Sequence, residues 1–156
     1  VAVRQAAFAA AEGQVAFAKL LVEDISVPRS VKFLGGIRTE GGRIDLKRAG
    51  LFGVVSAARA MAIRHHVTDR STPARLAGVR ALLHVSETDL DALAQAHGVF
   101  LDLIVSQQVE DVTHGTPPSN AVSVKRLSAR DRDRLRAALE AVASVDKLTR
   151  DVLFKG

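Results

Sequence analysis

Two short acidic motifs have a spacing that suggests metal chemistry. Asp131-Arg132-Asp133 and Asp89-Leu90-Asp91 both follow the Asp-x-Asp pattern that holds two magnesium ions in some nucleotide-transferring enzymes. Carboxylates at alternate positions of a helix diverge by about 200°, whereas those of a strand share one side. Both motifs fall in the first turns of predicted helices, where acidic side chains favourably meet exposed N–H groups. We therefore predict that they cap helices and that the chain has no metal site.

A histidine pair, His65-His66, suggests a metal ligand or a general base. Adjacent helical residues diverge by about 100°, so these two side chains cannot both bind one ion from a helix. Together with Arg64 they are better interpreted as the cationic end of a helix, next to its unpaired carbonyl groups.

Arg59 and His66 form the one pair that could act in catalysis within this chain. They are seven residues apart, which places them on one side of the predicted helix. The pair resembles the Arg and His arrangement of HEPN-type ribonucleases, where the two could stabilise a phosphate and move a proton. The side chains would start about 10 Å apart along the helix axis. A HEPN-like ribonuclease is therefore kept as an alternative function.

Helical periodicity organises most of the chain around these residues. Caps and apolar spacing predict helices over residues 3–23, 47–66, 72–83, 87–109 and 129–153, the last three opened by Ser71, Ser86 and Ser128. About five helices predict an all-α helical bundle. The predicted inward residues include Leu76, Val79, Leu82 and Leu83, then Leu90, Leu93, Ala94, Leu101 and Ile104, and then Leu135, Ala138, Leu139, Val142, Val145 and Val152. His97 and Gln108 lie on the same inward stripe and need hydrogen-bond partners.

Two segments lack the helical period. Residues 26–50 contain Pro28 and two Gly-Gly pairs, and could form a small hairpin in which residues 31–38 face Arg43 to Leu46. An irregular loop across the end of the bundle would explain the same residues. Residues 111–127, with Gly115 and two prolines, are predicted to be a loop.

The first predicted helix is apolar on most sides. Its polar residues Gln5, Glu12, Lys19 and Glu23 fall on one narrow stripe. A helix with so broad an apolar face needs partners on at least two flanks, either in the centre of the bundle or against another chain. A homodimer, with the chain acting as a purely structural dimerisation bundle, is therefore a further alternative.

Composition limits the function classes. The 156 residues predict a single helical domain, and the initial Val rather than Met suggests a fragment of a longer multidomain protein. The lack of cysteine and of long apolar runs predicts a cytoplasmic protein with no membrane segment. A net charge of +5 permits an anionic partner, such as a nucleotide or an acidic protein acceptor. The lack of Tyr and Trp argues against nucleic acid, because few aromatic rings are available for base stacking.

An ordered set of short motifs suggests a family. The set consists of Asp45-Leu46-Lys47, Gly50-Leu51, Ala58-Arg59-Ala60 with Ala62, and Thr72 with Arg75-Leu76, followed by Leu127-Ser128, Asp131-Arg132, Leu135 and Phe154. Across residues 8–154 the chain resembles the family described as "Putative nucleotidyltransferase substrate binding domain". That family is the C-terminal helical domain of bacterial signalling proteins that carry a nucleotidyltransferase-like domain, usually behind paired CBS or cyclic-nucleotide-binding modules.

The resemblance implies a helical domain that binds substrate or regulates, but is not catalytic alone. Its partner would be the nucleotidyltransferase-like domain of the same protein, and Mg²⁺ and nucleoside triphosphate are expected only in that catalytic domain. The substrate-binding positions it implies are Asp45, Lys47, Arg59, Thr72 and Arg75. Basic residues expected after Leu103 are replaced by Ile104, Val105 and Ser106, which argues against phosphate binding by that helix.

Overall fold

The chain folds into packed helices joined by one small sheet. The computed structural model describes residues 2–11, 30–31, 36–82 and 87–154. The helices are α1 (Ala2–Ala11), α2 (Phe52–Arg64), α3 (Thr72–Leu82), α4 (Glu87–Thr113), α5 (Ala129–Ala143) and α6 (Val145–Phe154). The sheet pairs β1 (Arg43–Asp45) with β2 (Ala121–Ser123) in antiparallel fashion. The predicted all-α class is confirmed, while residues 12–23 of the first predicted helix lie outside the described residues.

Helix α4 is the centre of the packing. It lies against α5 along the most extensive helix contact among the described residues, and against α3 and the residues that precede α2. Phe100, in the middle of α4, is completely buried. None of the helices in the described ranges combines the length and the apolar character needed to cross a bilayer.

The small sheet differs from the predicted hairpin. Strand β1 pairs with β2, so that Ile44 lies opposite Val122 and both are buried. Val31 forms a bridge with Ile37 instead of facing β1. The predicted pairing was wrong, and the segment predicted as a loop contributes β2. The register depends on contacts between distant segments, including that of β2 with α4, and local sequence patterns carry little information about such contacts.

A tight turn leads into β1. Gly41 and Gly42 have φ angles of 58° and 81°, and the N–H groups of Glu40 and Arg43 each donate to the other's carbonyl at 2.8 and 3.0 Å. Two successive positive φ angles are typical of a type I′ turn, which the Gly-Gly pair adopts without strain. The turn therefore fixes the direction in which Arg43 enters the sheet.

The helix predicted over residues 47–66 has a different start. Residues Lys47–Leu51 form one π-helical turn before α2 begins. Gly50 in this π turn is buried, and a Cβ atom placed on it would lie 2.3 Å from Cζ of Phe100. The backbone of the π turn therefore contacts the core ring directly, which only glycine permits.

The end of α2 also differs from the prediction. The helix stops at Arg64, and His66 has a φ angle of 56°. The N–H of Val67 donates to the carbonyl of Ala62 at 2.9 Å, and that of His66 to the carbonyl of Ile63 at 3.3 Å. These two bonds form a Schellman motif with His66 in the left-handed position. The predicted helical alignment of Arg59 with His66 was therefore wrong, because His66 lies beyond the helix.

The last predicted helix is divided at Ser144 into α5 and α6. Its predicted inward residues are all buried, and Ser128 accepts the N–H of Asp131 at 3.0 Å as the predicted cap. The break lets α6 pack against α2, where Nε2 of His65 donates to the carbonyl of Val152 at 3.2 Å. Burial lowers the pKa of His65, against the opposing effect of that hydrogen bond.

Among the predicted inward residues that the structure describes, two are exposed, while Leu83 lies outside the described residues. Leu101 in α4 and Leu82 in α3 are 40% and 58% exposed, and Val105 and Val109 follow Leu101 along the same outer stripe. The Leu101 assignment was wrong because the apolar face of α4 is wider than the surface that α3 and α5 cover. The Leu82 assignment was wrong because this residue ends α3, beyond the last buried position of that helix at Val79. In contrast, Leu90, Leu93 and Ile104 are buried as predicted.

Replacing the glycine of the π turn tests its contact with the core. We expect Gly50→Ala to lower the free energy of unfolding by about 1–3 kcal/mol, because the added methyl group overlaps the Phe100 ring. Gly98→Ala is the matched control, since nothing lies within 4 Å of its Cβ position in α4. The control should raise stability by about 0.5–1 kcal/mol. Urea unfolding measures both, and equal stability of the two variants would contradict the contact.

Candidate functional site

A basic pocket lies between the type I′ turn and the π turn. Its volume is about 310 Å³, at the lower end of the range for small-molecule sites. The described lining residues are Ser30, Arg38, Thr39, Glu40, Arg43, Ile44, Asp45, Arg48 and Ala49. We call it the arginine pocket, after Arg38, Arg43 and Arg48. Because these residues come from the turn, β1 and the π turn, the fold of residues 36–49 shapes the site.

Two of the three guanidinium groups are available to a ligand. Arg38 and Arg48 are exposed, and neither side chain has a hydrogen bond or ion pair within the described residues. Their backbones are anchored, because the N–H of Arg38 donates to the carbonyl of Ser30 at 2.8 Å and that of Arg48 to Oδ1 of Asp45 at 3.1 Å. The pocket thus combines a fixed backbone with unpaired cationic groups.

Arg43 differs from the other two because it is held in place. Its Nε donates to the carbonyl of Ala121 at 2.8 Å, and Nη2 donates to Oδ1 of Asp111 at 3.4 Å. The side chain is still 42% exposed. Arg43 therefore presents a positive charge to the pocket in one orientation, since two of its three nitrogens are engaged by Ala121 of β2 and Asp111 of α4.

Asp111 is the buried anchor of this arrangement. It is 7% exposed, and its carboxylate accepts hydrogen bonds from Nε2 of Gln107 at 2.8 Å and from the N–H of Ser119 at 3.0 Å, besides the bond from Arg43. Gln107 in turn accepts the N–H of Ser123 in β2 at 3.0 Å. Burial disfavours ionisation, but these hydrogen bonds outweigh it and hold the pKa of Asp111 below its ordinary value. An ionised Asp111 thus links α4, β2 and the arginine pocket.

Two carboxylates share the pocket with the arginines. Oδ1 of Asp45 accepts the N–H of Arg48, which ties β1 to the π turn. Glu40 is exposed, and its carboxylate has no partner within the described residues. The pocket therefore offers hydrogen-bond acceptors as well as cationic donors.

The five residues implied by the family resemblance occupy different places. Asp45 lines the arginine pocket, and Lys47 is exposed at the first position of the π turn. Arg59 is exposed on α2, whereas Thr72 is 8% exposed at the start of α3. Arg75 is half-buried and its Nε donates to the carbonyl of Asp69 at 3.0 Å. Only Asp45 of these five is among the residues that line the pocket.

Sequence reasoning missed all three arginines of the pocket. The signal that could have found them is their spacing, because an arginine recurs at every fifth position across the Gly41-Gly42 turn. Neither a helical nor a strand period returns to one side after five residues, so the turn is needed to bring Arg38, Arg43 and Arg48 together.

The Asp-x-Asp motifs have structural roles. Oδ2 of Asp131 accepts the Ser128 hydroxyl at 2.7 Å, and its Oδ1 accepts Nη1 of Arg134 at 3.1 Å. The hydrogen bond from Ser128 is the main cause that lowers the pKa of Asp131. Asp91 pairs with Arg80 at 2.6 Å. The helix-capping prediction is confirmed for Asp131, and no group of three potential metal ligands occurs in the described part of the chain.

The two polar residues of the inward stripe are both partly buried. Nε2 of Gln108 donates to Oδ1 of Asn120 at 3.2 Å, which confirms the prediction that this residue needs a partner. The hydrogen bond from Gln108 to Asn120 therefore fixes the segment that enters β2. Burial lowers the pKa of His97.

The chain belongs to a family of nucleotidyltransferase-associated domains. Residues 14–152 match the family described as "Putative nucleotidyltransferase substrate binding domain", which covers most of the chain and confirms the resemblance seen in the sequence. No curated protein and no solved structure shows a significant match. The family name implies that the domain associates with a nucleotidyltransferase catalytic domain.

Replacing Asp111 with an uncharged residue tests the electrostatic role of its carboxylate. We expect Asp111→Asn to lower the free energy of unfolding at pH 7, because the variant cannot offer a carboxylate to Arg43, Gln107 and Ser119. A carboxyl group with a lowered folded-state pKa stabilises the fold above the unfolded pKa of about 4, and this contribution disappears as the pH falls through the folded pKa. The stability difference between wild type and variant should therefore shrink below about pH 4.

Urea unfolding at a series of pH values measures that difference. Asp133→Asn is the control, because its carboxylate is 71% exposed and pairs only with Arg136 among the described residues. A loss of stability in Asp111→Asn that is the same at all pH values would show that charge is not responsible.

Proposed function

We propose that this member of the nucleotidyltransferase substrate-binding domain family holds an anionic substrate in the arginine pocket for its catalytic domain. The observation that carries the proposal is the pair of exposed guanidinium groups of Arg38 and Arg48, which have no partner within the described residues. They lie in one pocket with Arg43, which Asp111 holds in place. Unpaired cations on a fixed backbone are suited to binding an anion.

Guanidinium groups support this role chemically. Each presents a planar fork of donors that matches phosphate and carboxylate oxygens, and charge-assisted hydrogen bonds of this kind are among the strongest in proteins. Lys47 is exposed and directly precedes Arg48 in the sequence, so it adds a further positive charge. Asp45 orients the π turn through the N–H of Arg48. The net charge of +5 would attract an anion from a distance.

The chemical step is assigned to the catalytic domain. The three arginines of the pocket bind and orient an anion, and the proposal gives this chain no catalytic residue. Mg²⁺ and nucleoside triphosphate would act in the nucleotidyltransferase domain, and this domain would present the acceptor. Arg59, Thr72 and Arg75, which the family resemblance implied, do not line the pocket, and the proposal places no contact of the bound anion on them.

The proposal extends to the whole protein. We infer a cytoplasmic bacterial signalling protein in which this domain regulates or supplies a nucleotidyltransferase, associated with CBS or cyclic-nucleotide-binding modules. Family membership and the cysteine-free sequence support it, because cysteine-poor proteins are compatible with a reducing compartment.

Charge-matched substitutions test the location of the site. We expect Arg48→Gln to weaken the binding of inorganic tripolyphosphate about tenfold or more, because a charge-assisted hydrogen bond contributes about 1.5–3 kcal/mol. Arg59→Gln is the control, since it removes the same charge from an exposed side chain on α2 that does not line the pocket. Titration calorimetry measures both affinities.

The comparison separates a specific site from general attraction. Circular dichroism should show that both variants are folded, because neither side chain is buried. Equal weakening by the two substitutions would contradict the arginine pocket and favour diffuse charge or a surface on α2.

A further inference from the structure

The arginine pocket contains two chemically distinct sets of groups. Arg38, Arg43 and Arg48 are donors with positive charge, whereas Glu40 and Asp45 are acceptors with negative charge. A ligand that carries only negative charge, such as an acidic peptide, would meet repulsion from both carboxylates. A ligand with an anionic end and a hydroxyl-bearing end would satisfy both sets at once.

The carboxylates have free acceptor capacity. Oδ1 of Asp45 is engaged by the N–H of Arg48, while its Oδ2 has no hydrogen bond within the described residues. Glu40 is likewise without a side-chain partner there. Ionised carboxylates only accept hydrogen bonds, so a ligand must donate to them. Neighbouring hydroxyl groups of a ribose are donors that carboxylates bind in other nucleotide sites.

The arginines match the other end of such a ligand. Arg43 is held against Asp111 and Ala121, so it offers a charge whose position is set before binding. Arg38 and Arg48 are exposed and can adjust to the several oxygens of a phosphate chain. A volume of about 310 Å³ suits a small molecule rather than the surface of a folded protein.

We propose that the arginine pocket binds a ribonucleoside phosphate, with its phosphates on Arg38, Arg43 and Arg48 and its ribose hydroxyls on Asp45 and Glu40. This inference rests on the proposed function, since it names the class of substrate that the same pocket takes. Ile44 and Ala49 also line the pocket and give it apolar surface. The ligand is recognised through sugar and phosphate together, so neither part alone binds equally well.

Titration calorimetry with four probes tests this assignment. The probes are ATP, 2′,3′-dideoxy-ATP, inorganic tripolyphosphate and a tetra-aspartate peptide, each added to the protein with and without its nucleotidyltransferase domain. Binding that Arg48→Gln does not weaken is assigned to the catalytic domain and not to the pocket. We expect ATP to bind at least fivefold more tightly than dideoxy-ATP and tripolyphosphate, and the peptide to bind most weakly. The fivefold preference corresponds to about 1 kcal/mol, the contribution of one hydrogen bond.

Two variants separate sugar contacts from phosphate contacts. Asp45→Asn should remove most of the preference for ATP over dideoxy-ATP without weakening tripolyphosphate, and its amide oxygen can still accept the N–H of Arg48. Glu40→Gln is the second variant and should act in the same direction. Arg48→Gln should weaken all three phosphate probes.

Each outcome distinguishes this inference from the proposed function. Equal binding of ATP, dideoxy-ATP and tripolyphosphate that depends on Arg48 would overturn the nucleoside assignment and leave the anion site intact. Tighter binding of the peptide would overturn it in favour of an acidic protein acceptor. No binding of any probe, with or without the catalytic domain, would overturn both.

Discussion

The hydrogen-bonded carboxylate of Asp111 is the constraint on which the site depends. It lies near the end of α4, and it accepts hydrogen bonds from Arg43 in β1 and from the N–H of Ser119, which precedes β2. Desolvating a carboxylate is costly unless its oxygens are paired, so burial of Asp111 requires these partners to be in place. The ionised state of Asp111 therefore depends on the folded conformation of the segments that carry Arg43 and Ser119, and that conformation depends in turn on the ionised carboxylate.

Packing of the core also fixes the position of the arginine pocket. Strand β1 carries Arg43, and the π turn that follows it carries Arg48. Gly50 lets the π turn lie directly on Phe100, so the position of Arg48 is set by the packing of α4. π-helical turns occur frequently at functional sites, where they re-aim side chains that a regular helix would place elsewhere. The pocket is thus built from short irregular elements on a helical core.

Much of the helical fold follows from local patterns. The apolar period of residues such as Leu135 and Val142 predicted buried faces, and Ser128 predicted the start of α5, because both signals act within a few residues. The pairing of β1 with β2 was not predictable in this way, since Ile44 and Val122 are distant in sequence and each strand has three residues. The end of α2 was missed because His66 adopts a left-handed conformation that glycine usually supplies.

In the candidate site, too, some residues could be predicted from local motifs and others could not. Of the positions implied by the family motifs, Asp45 lines the arginine pocket, whereas Arg38 and Arg48 carry no motif and are brought together by a turn and a π-helical start. The central claim is that ligand binds there rather than on α2 or α3. Nuclear magnetic resonance, with ATP titrated into ¹⁵N-labelled protein, tests it most directly. We expect the largest shifts at the backbone N–H groups of Arg38 through Arg48, while those of Arg59 and Arg75 stay unchanged; shifts confined to Arg59 and Arg75 would show that ATP binds on α2 or α3 instead.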